Sequence, residues 1–211
     1  ANKHGFEVNI QDADADPGRQ TQQLEDFIAA DVDVIAFAAS DPDGLIPAVQ
    51  EANKAGIPVF TFDGGVNGGT VICHVGMDNY EAGKLAGQWV EGYIEDELGG
   101  QGNVVILDFP QSAVVCGNRV KGFKDALSDM SGVEIVAQQD GKASRTHSMS
   151  VMENILTANP DVDVVFGIND DTIFGGVAAT EAAGRENVSF ISVGWSEELF
   201  KKLQNNDKYV K

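Results

Sequence analysis

Three aspartates at alternate positions, Asp12, Asp14 and Asp16 in QDADADPGRQ, have the ligand type and the spacing with which a calcium loop begins. Such a loop also needs a glycine at its sixth position and a bidentate glutamate at its twelfth. Counted from Asp12, those positions hold Pro17 and Gln23, so the turn and the closing ligand are both wrong. The same residues fit a different use. Asp16 can accept from the first free N–H groups of a helix, and Pro17 can take the first helical position, where a missing N–H costs nothing. A capped strand-to-helix turn without metal is expected here.

The other candidates close apolar runs. Asp63 ends FTF, Asn169 and Asp170 end VFGI, and Trp195 and Ser196 end ISVG. A carboxylate accepts, an amide donates and accepts, and an indole face covers C–H surface, a set suited to a ligand rich in hydroxyl groups. Each also has an ordinary use as a cap or turn residue, Asn169 and Ser196 above all. The sequence has no GxxxxGK[ST], GxSxG or HExxH, and His4, His74 and His147 stand alone. Neither Gly64 and Gly65 nor Gly175 and Gly176 opens a GxGxxG turn between strand and helix. An enzyme using Asp63 or Asp170 as general base would need a partner acid or nucleophile, and none is visible. The expectation is a binding protein with no catalytic residue, no cofactor and no metal.

Alternating β and α patterns must position these residues. Strands are expected at FEVNI (6–10), VDVIAFAA (32–39), IPVFTF (57–62), TVICHVG (70–76), GNVVILDF (102–109), VEIVAQQ (133–139), DVVFGI (163–168) and SFISVG (189–194). Most are continuous apolar runs, as strands covered on both faces require. Helical patterns fall at 18–30, 43–55, 79–96, 115–128, 145–158, 172–184 and 196–205, with Met149, Met152, Ile155 and Leu156 as a core-facing stripe. Strict alternation predicts an α/β fold of doubly wound parallel sheets, whose ligands sit at the carboxyl ends of the strands. The rhythm breaks once. IPVFTF reaches TVICHVG through DGGVNGG without a helix, and MDNYEAGKLAG then starts a long one, with Asp78 as cap and Ala82, Leu85, Ala86 and Trp89 as its apolar stripe. A hinge at Met77 to Asp78 follows, with one lobe over 1–77 and a second over 78–211. ANKHG has the form of a helix tail with a glycine cap, and NNDKYVK of a chain entering a further strand, so the middle of a longer protein is expected.

The formal charge of −19 is dispersed along the 211 residues, which repels phosphate backbones and excludes nucleic acid as a partner. No apolar run approaches the roughly 18 residues of a membrane span, and ANKHG does not begin a signal peptide. Cys73 and Cys116 lack metal spacing and are expected to be free, buried thiols.

IPVFTFDGG, VGMDNYEAGKLAG, NRVKGFKDAL, SVMENILTANPDVDVVFGINDDTIFGGVAATEAAG and ISVGWS together resemble, in order and over nearly the whole chain, type I periplasmic sugar-binding proteins of the ribose-binding group. The resemblance implies two doubly wound lobes joined by hinge strands, closing on a monosaccharide or polyol that a membrane ABC permease then receives. It implies a monomer, periplasmic or extracellular, with or without a lipid anchor, and a first lobe here lacking its first strand and helix and a second lacking its final crossovers. Asp63 matches the family's sugar-hydroxyl acceptor, Arg119 its ligand arginine and Asn169 its ligand asparagine; Trp195 and Ser196 stand where the family has phenylalanine and aspartate. Gly64 replaces an arginine and Ala143 a phenylalanine, which sets this chain apart from the ribose binder itself. The effector domain of a LacI-type transcription regulator shares the fold and is the alternative, although GRENVSFISVG lacks the Pro-Glu-Asp insert usual there.

Overall fold

The computed structural model describes residues 4–14 and 16–211, and they form an α/β protein. The chain divides into two compact units, Ala1–Met77 and Asp78–Lys211.

In the first unit, β1 (Ile35–Phe37), β2 (Val59–Phe62) and β3 (Cys73–Val75) form a parallel sheet in the order β1-β2-β3. Helices α1 (Pro17–Ala29) and α2 (Ile46–Lys54) supply Leu24, Ala48, Val49 and Ala52 to a core with Ile35, Phe37 and Val59. The aspartate-rich turn is the expected cap. Asp16 Oδ1 accepts from Arg19 N at 3.0 Å with Pro17 at the start of α1, and this N–H holds the Asp16 carboxyl below its usual range. Asp12 accepts instead from Asp14 N at 2.8 Å, and Asp14 lies 3.7 Å from Arg19 Nη1.

Residues 6–10 are not a strand. Phe6, Val8 and Ile10 alternate as a strand would but are 67%, 52% and 86% exposed, because no ladder of another strand reaches them among the described residues. Alternation marks a face, whereas a strand also needs a neighbour's N–H and C=O groups. The helix tail expected before Gly5 lies largely outside the described residues, although Gly5 has the positive φ (78°) of such a cap. Cys73 corrects another expectation: it is exposed on the edge strand β3, while Cys116 is buried.

The second unit has four parallel strands, β4 (Gly102–Asp108), β5 (Val133–Asp140), β6 (Val164–Gly167) and β7 (Ser189–Ser192), in the order β5-β4-β6-β7. The central strands β4 and β6 are the continuous apolar runs, and successive side chains enter opposite cores. Val104 and Ile106 face α3 (Asn79–Leu98) and α4 (Asn118–Leu127), while Val105 and Leu107 face α5 (Arg145–Ala158) and α6 (Asp170–Ala182). Helices thus cover both faces, as a doubly wound sheet demands. Met152, Ile155 and Leu156 are buried as the stripe predicted. The helix expected from residue 115 begins instead with a π-helical turn, Ala113–Gly117, and α7 (Glu197–Gln204) follows β7.

The inner face of α3 differs from the expected stripe. Leu85 and Trp89 are 57% and 41% exposed, and the buried positions are Asn79, Gly83, Ala86, Gly87, Val90 and Ile94. The glycines explain the rotation. A Cβ at Gly83 would overlap the carbonyl oxygen of Arg119, and one at Gly122 the carbonyl oxygen of Tyr80, so α3 and α4 cross with backbone against backbone.

After α7 the chain returns to the sheet. Val210 bridges to Phe190 in parallel, Tyr209 is 1% exposed, and its hydroxyl donates to Arg185 O at 2.7 Å. Asp207 secures this return by accepting from Lys202 Nζ (2.8 Å), Tyr209 N (2.9 Å) and Val210 N (3.2 Å). Partial burial opposes its charge, but the Lys202 ammonium and the two N–H groups outweigh that, and the carboxyl is held below its ordinary value of 3.8.

Two expected outcomes follow from these contacts. Gly122→Ala should destabilise the protein by about 1 to 3 kcal/mol, as overpacking does, and urea unfolding with an unchanged midpoint would refute the close crossing. A carboxyl with a lowered folded pKa stabilises above its unfolded value and loses that contribution as pH falls through the folded one. Asp207→Asn should therefore lower the melting temperature at neutral pH, with the gap to wild type narrowing below pH 3.8. A gap that stays constant from neutral pH down to about pH 3 would contradict it.

Candidate ligand-binding site

In the first unit the polar groups lie where β1 and β2 end. Asp63 follows β2 and is exposed, with φ of 56°. Its N–H donates to Val75 O at 3.0 Å, so the left-handed turn is fixed by the neighbouring strand. This conformation costs a non-glycine residue roughly 1 kcal/mol or more, and strain of this kind collects at functional sites. Gly64 comes next, its carbonyl accepting from Ala39 N at 2.9 Å, and a Cβ there would stand 2.5 Å from Ala39 O. The arginine of the ribose group therefore has no room on this backbone.

Gln20 holds the facing loop. Its Nε2 donates to Ala38 O at 2.7 Å and its Oε1 accepts from Ser40 N (2.8 Å) and Ser40 Oγ (2.7 Å). Gln20 was not legible in the sequence, since nothing in a helical glutamine announces which loop it will meet. His74 has a structural partner, with Nδ1 2.9 Å from Thr61 Oγ1.

In the second unit Asn169 follows β6, Trp195 and Ser196 follow β7, and Arg119 reaches the carbonyls at both strand ends. Arg119 stands in the first turn of α4, where a cation gains nothing from the helix dipole. Its guanidinium is occupied elsewhere: Nε donates to Asn79 Oδ1 at 2.8 Å, and Nη1 donates to Ile168 O at 2.7 Å and Val193 O at 3.3 Å. Those carbonyls precede Asn169 by one residue and Trp195 by two. Nη2 is the corner without a partner among the described residues.

Asn169 is a cap as well as a candidate. Its Oδ1 accepts from Thr172 N at 3.0 Å in a capping box, which leaves Nδ2 as the group for a ligand. Ser196 Oγ likewise accepts from Leu199 N at 3.1 Å and caps α7. Trp195 is 80% exposed, tilted against Phe200 with ring centroids 5.4 Å apart. Asp170 is buried, with Ser192 Oγ at 3.4 Å. Around the rim, Arg145 links Glu198 (2.9 Å) and Asp171 (3.2 Å) and covers the Phe174 ring at 4.6 Å. The Glu198 carboxylate, then Asp171, raise its pKa. Lys142 and Ala143, before α5, both have positive φ (52° and 48°), so the position of the family's phenylalanine is a tight turn.

A profile described as the periplasmic binding protein domain matches residues 1–207. The chain belongs to this family. It is 33% identical over 186 residues to a ribose import binding protein of Bacillus subtilis, covering 88% of this chain and 59% of that one. A solved structure from Mycobacterium smegmatis in complex with beta-D-fucofuranose is 31% identical with a TM-score of 0.91, covering 99% of this chain and 71% of that one. A Caulobacter myo-inositol binding protein bound to myo-inositol is 27% identical with a TM-score of 0.88, covering 98% and 70%. This chain spans about three fifths of the length of the curated ribose import relatives it matches. The fold class and the family expected from the sequence both stand. Among the described residues no helix is long and apolar enough to cross a membrane.

The capping oxygen of Asn169 can be tested apart from its Nδ2. Asn169→Asp keeps the capping oxygen and should retain stability, whereas Asn169→Ala should cost about 1 kcal/mol. Equal unfolding free energies for these two variants would show that the cap contributes nothing.

Proposed function

We propose that this chain is the ligand-capturing part of an extracytoplasmic solute-binding protein, periplasmic or extracellular, which hands a neutral monosaccharide or polyol to an ABC permease. The observation that carries the reading is Arg119. Its Nε and Nη1 are held by Asn79 and by the carbonyls of Ile168 and Val193, which leaves Nη2 over at the ends of the two strands that Asn169 and Trp195 follow. Relatives named for ribose import and a neighbour bound to myo-inositol support the ligand class, and names of import proteins favour transport over a LacI-type effector domain.

The proposed chemistry is binding alone. Arg119 Nη2 donates to ring or hydroxyl oxygens, Asn169 Nδ2 donates beside it, and Trp195 covers the C–H face of the sugar. Asp63 accepts from adjacent hydroxyls. Hydrogen bonds to charged groups contribute roughly 1.5 to 3 kcal/mol each net, so two or three are enough for micromolar affinity once ordering costs are met. The two units act as lobes: a ligand held by groups of both favours a closed state in proportion to its differential affinity for that state. Ser196, already a cap, tunes the rim, and the chain works as a monomer.

Calorimetry of the full-length protein against sugars, polyols, amino acids and nucleosides is the test. Binding is expected within the carbohydrate panel, and Asp63→Ala should weaken it by at least about 2 kcal/mol. Binding confined to amino acids or nucleosides would overturn the assignment. Spin labels placed one on each unit should approach when ligand is added, and an unchanged distance at saturation would remove the closure step.

A further inference from the structure

Asn79 is the first residue of α3, and its position there is unusual. It is 7% exposed, and the cap of α3 is already provided by Asp78, whose Oδ1 accepts from Glu81 N at 3.0 Å. An amide buried at this point is not needed to start the helix. Its Oδ1 is turned instead toward Arg119 and accepts from Nε at 2.8 Å.

A guanidinium is planar, with five N–H donors in fixed directions. Holding Nη1 alone, through Ile168 O and Val193 O, would leave the plane free to tilt about that contact. The bond from Nε fixes a second point and therefore the direction of the Nη2 edge. No carboxylate among the described residues pairs with Arg119, so this orientation depends on neutral acceptors.

We propose that Asn79 is a positioning residue that aims the Nη2 edge of Arg119 at the ligand, and so sets affinity for sugars whose oxygen meets that edge. The proposal rests on the reading above that Arg119 contacts the ligand. It also gives α3 a role in binding. Asn79 is the second residue after the boundary between the two units at Met77 and Asp78, so a rotation of the first turn of α3 would reach Arg119 through one hydrogen bond.

The test uses the full-length protein and four variants: Asn79→Ala, Asn79→Asp, Arg119→Ala and the double Asn79→Ala/Arg119→Ala. Affinity is measured for the sugar of the panel that the wild type binds most tightly, and Arg119 Nε–Hε hydrogen exchange is followed by NMR without ligand. Thermal melting checks that each variant is folded, and Asn79→Ser replaces Asn79→Ala if that one is not. Asn79→Ala should weaken binding by about tenfold and speed Nε–Hε exchange, while Asn79→Asp, which keeps the acceptor, should restore most of the affinity. In the Arg119→Ala background, removing Asn79 should change affinity by less than about threefold, because the residue acts through the arginine. Tenfold losses that multiply in the double variant, or unchanged Nε–Hε exchange in Asn79→Ala, would overturn the proposal. If the wild type binds no sugar, the functional reading falls, and the exchange rates still decide whether Asn79 holds Arg119.

Discussion

Arg119 stands where it does because α3 and α4 touch backbone to backbone. Gly83 of α3 lies against the carbonyl of Arg119 itself, and Gly122 of α4 lies against the carbonyl of Tyr80. Side chains at either position would separate the helices, and the guanidinium would lose its reach. The next contact inward keys α4 to the sheet: Phe123 stacks on Phe166 of β6 with centroids 4.2 Å apart and planes 7° from parallel. With the helix held on both sides, Nη1 meets the carbonyls of Ile168 and Val193 and ties together the ends of two adjacent strands. Asn169 follows the first carbonyl directly and Trp195 stands two residues after the second, so their placement descends from the same glycine contact.

Much of this fold is legible in the sequence where burial and period coincide. The runs that become β4 and β6 are continuous because both faces are covered, and the Met152, Ile155 and Leu156 stripe points into the core as its spacing says. The face of α3 was not legible, since hydrophobic periodicity gives weight to Leu85 and Trp89 and almost none to glycine. A contact made by the absence of a side chain leaves no such signal. The stretch 6–10 fails for another reason: Phe6, Val8 and Ile10 carry a true β alternation, but alternation does not say whether a neighbouring strand is there to pair with. Of the candidate site, the strand-end positions were visible and their partners were not. That Arg119 would be held by Asn79, forty residues away, or the loop after β1 by Gln20, is a property of tertiary packing alone.

The two units hold their polar groups by different means. Asp63 is set by its backbone, a left-handed residue locked between Val75 O and a glycine with no space for a Cβ, so its Cα–Cβ bond is placed before any side-chain partner is considered. Arg119 has an ordinary helical backbone and is fixed by hydrogen bonds along its side chain. The first arrangement stores strain and needs few partners; the second stores none and fails if a single partner is lost.

Charge narrows what the second unit's rim can receive. Asp170 and Asp171 occupy the first turn of α6 and Glu197 and Glu198 that of α7, where the helix dipole favours them. Much acid therefore gathers at the carboxyl end of the sheet, the end where ligands of such folds bind. Arg145 answers two of these carboxylates, Asp171 and Glu198, and is used up in doing so. Arg119 pairs with no carboxylate among the described residues, in a neighbourhood where carboxylates outnumber guanidiniums. If Arg119 meets the ligand as proposed, a phosphorylated or acidic sugar would gain that contact and meet repulsion from the remaining acids, whereas a neutral hydroxyl-rich ligand would gain it without that repulsion. On that proposed reading, the same carboxylates that stabilise the helix starts would disfavour anionic ligands at the rim.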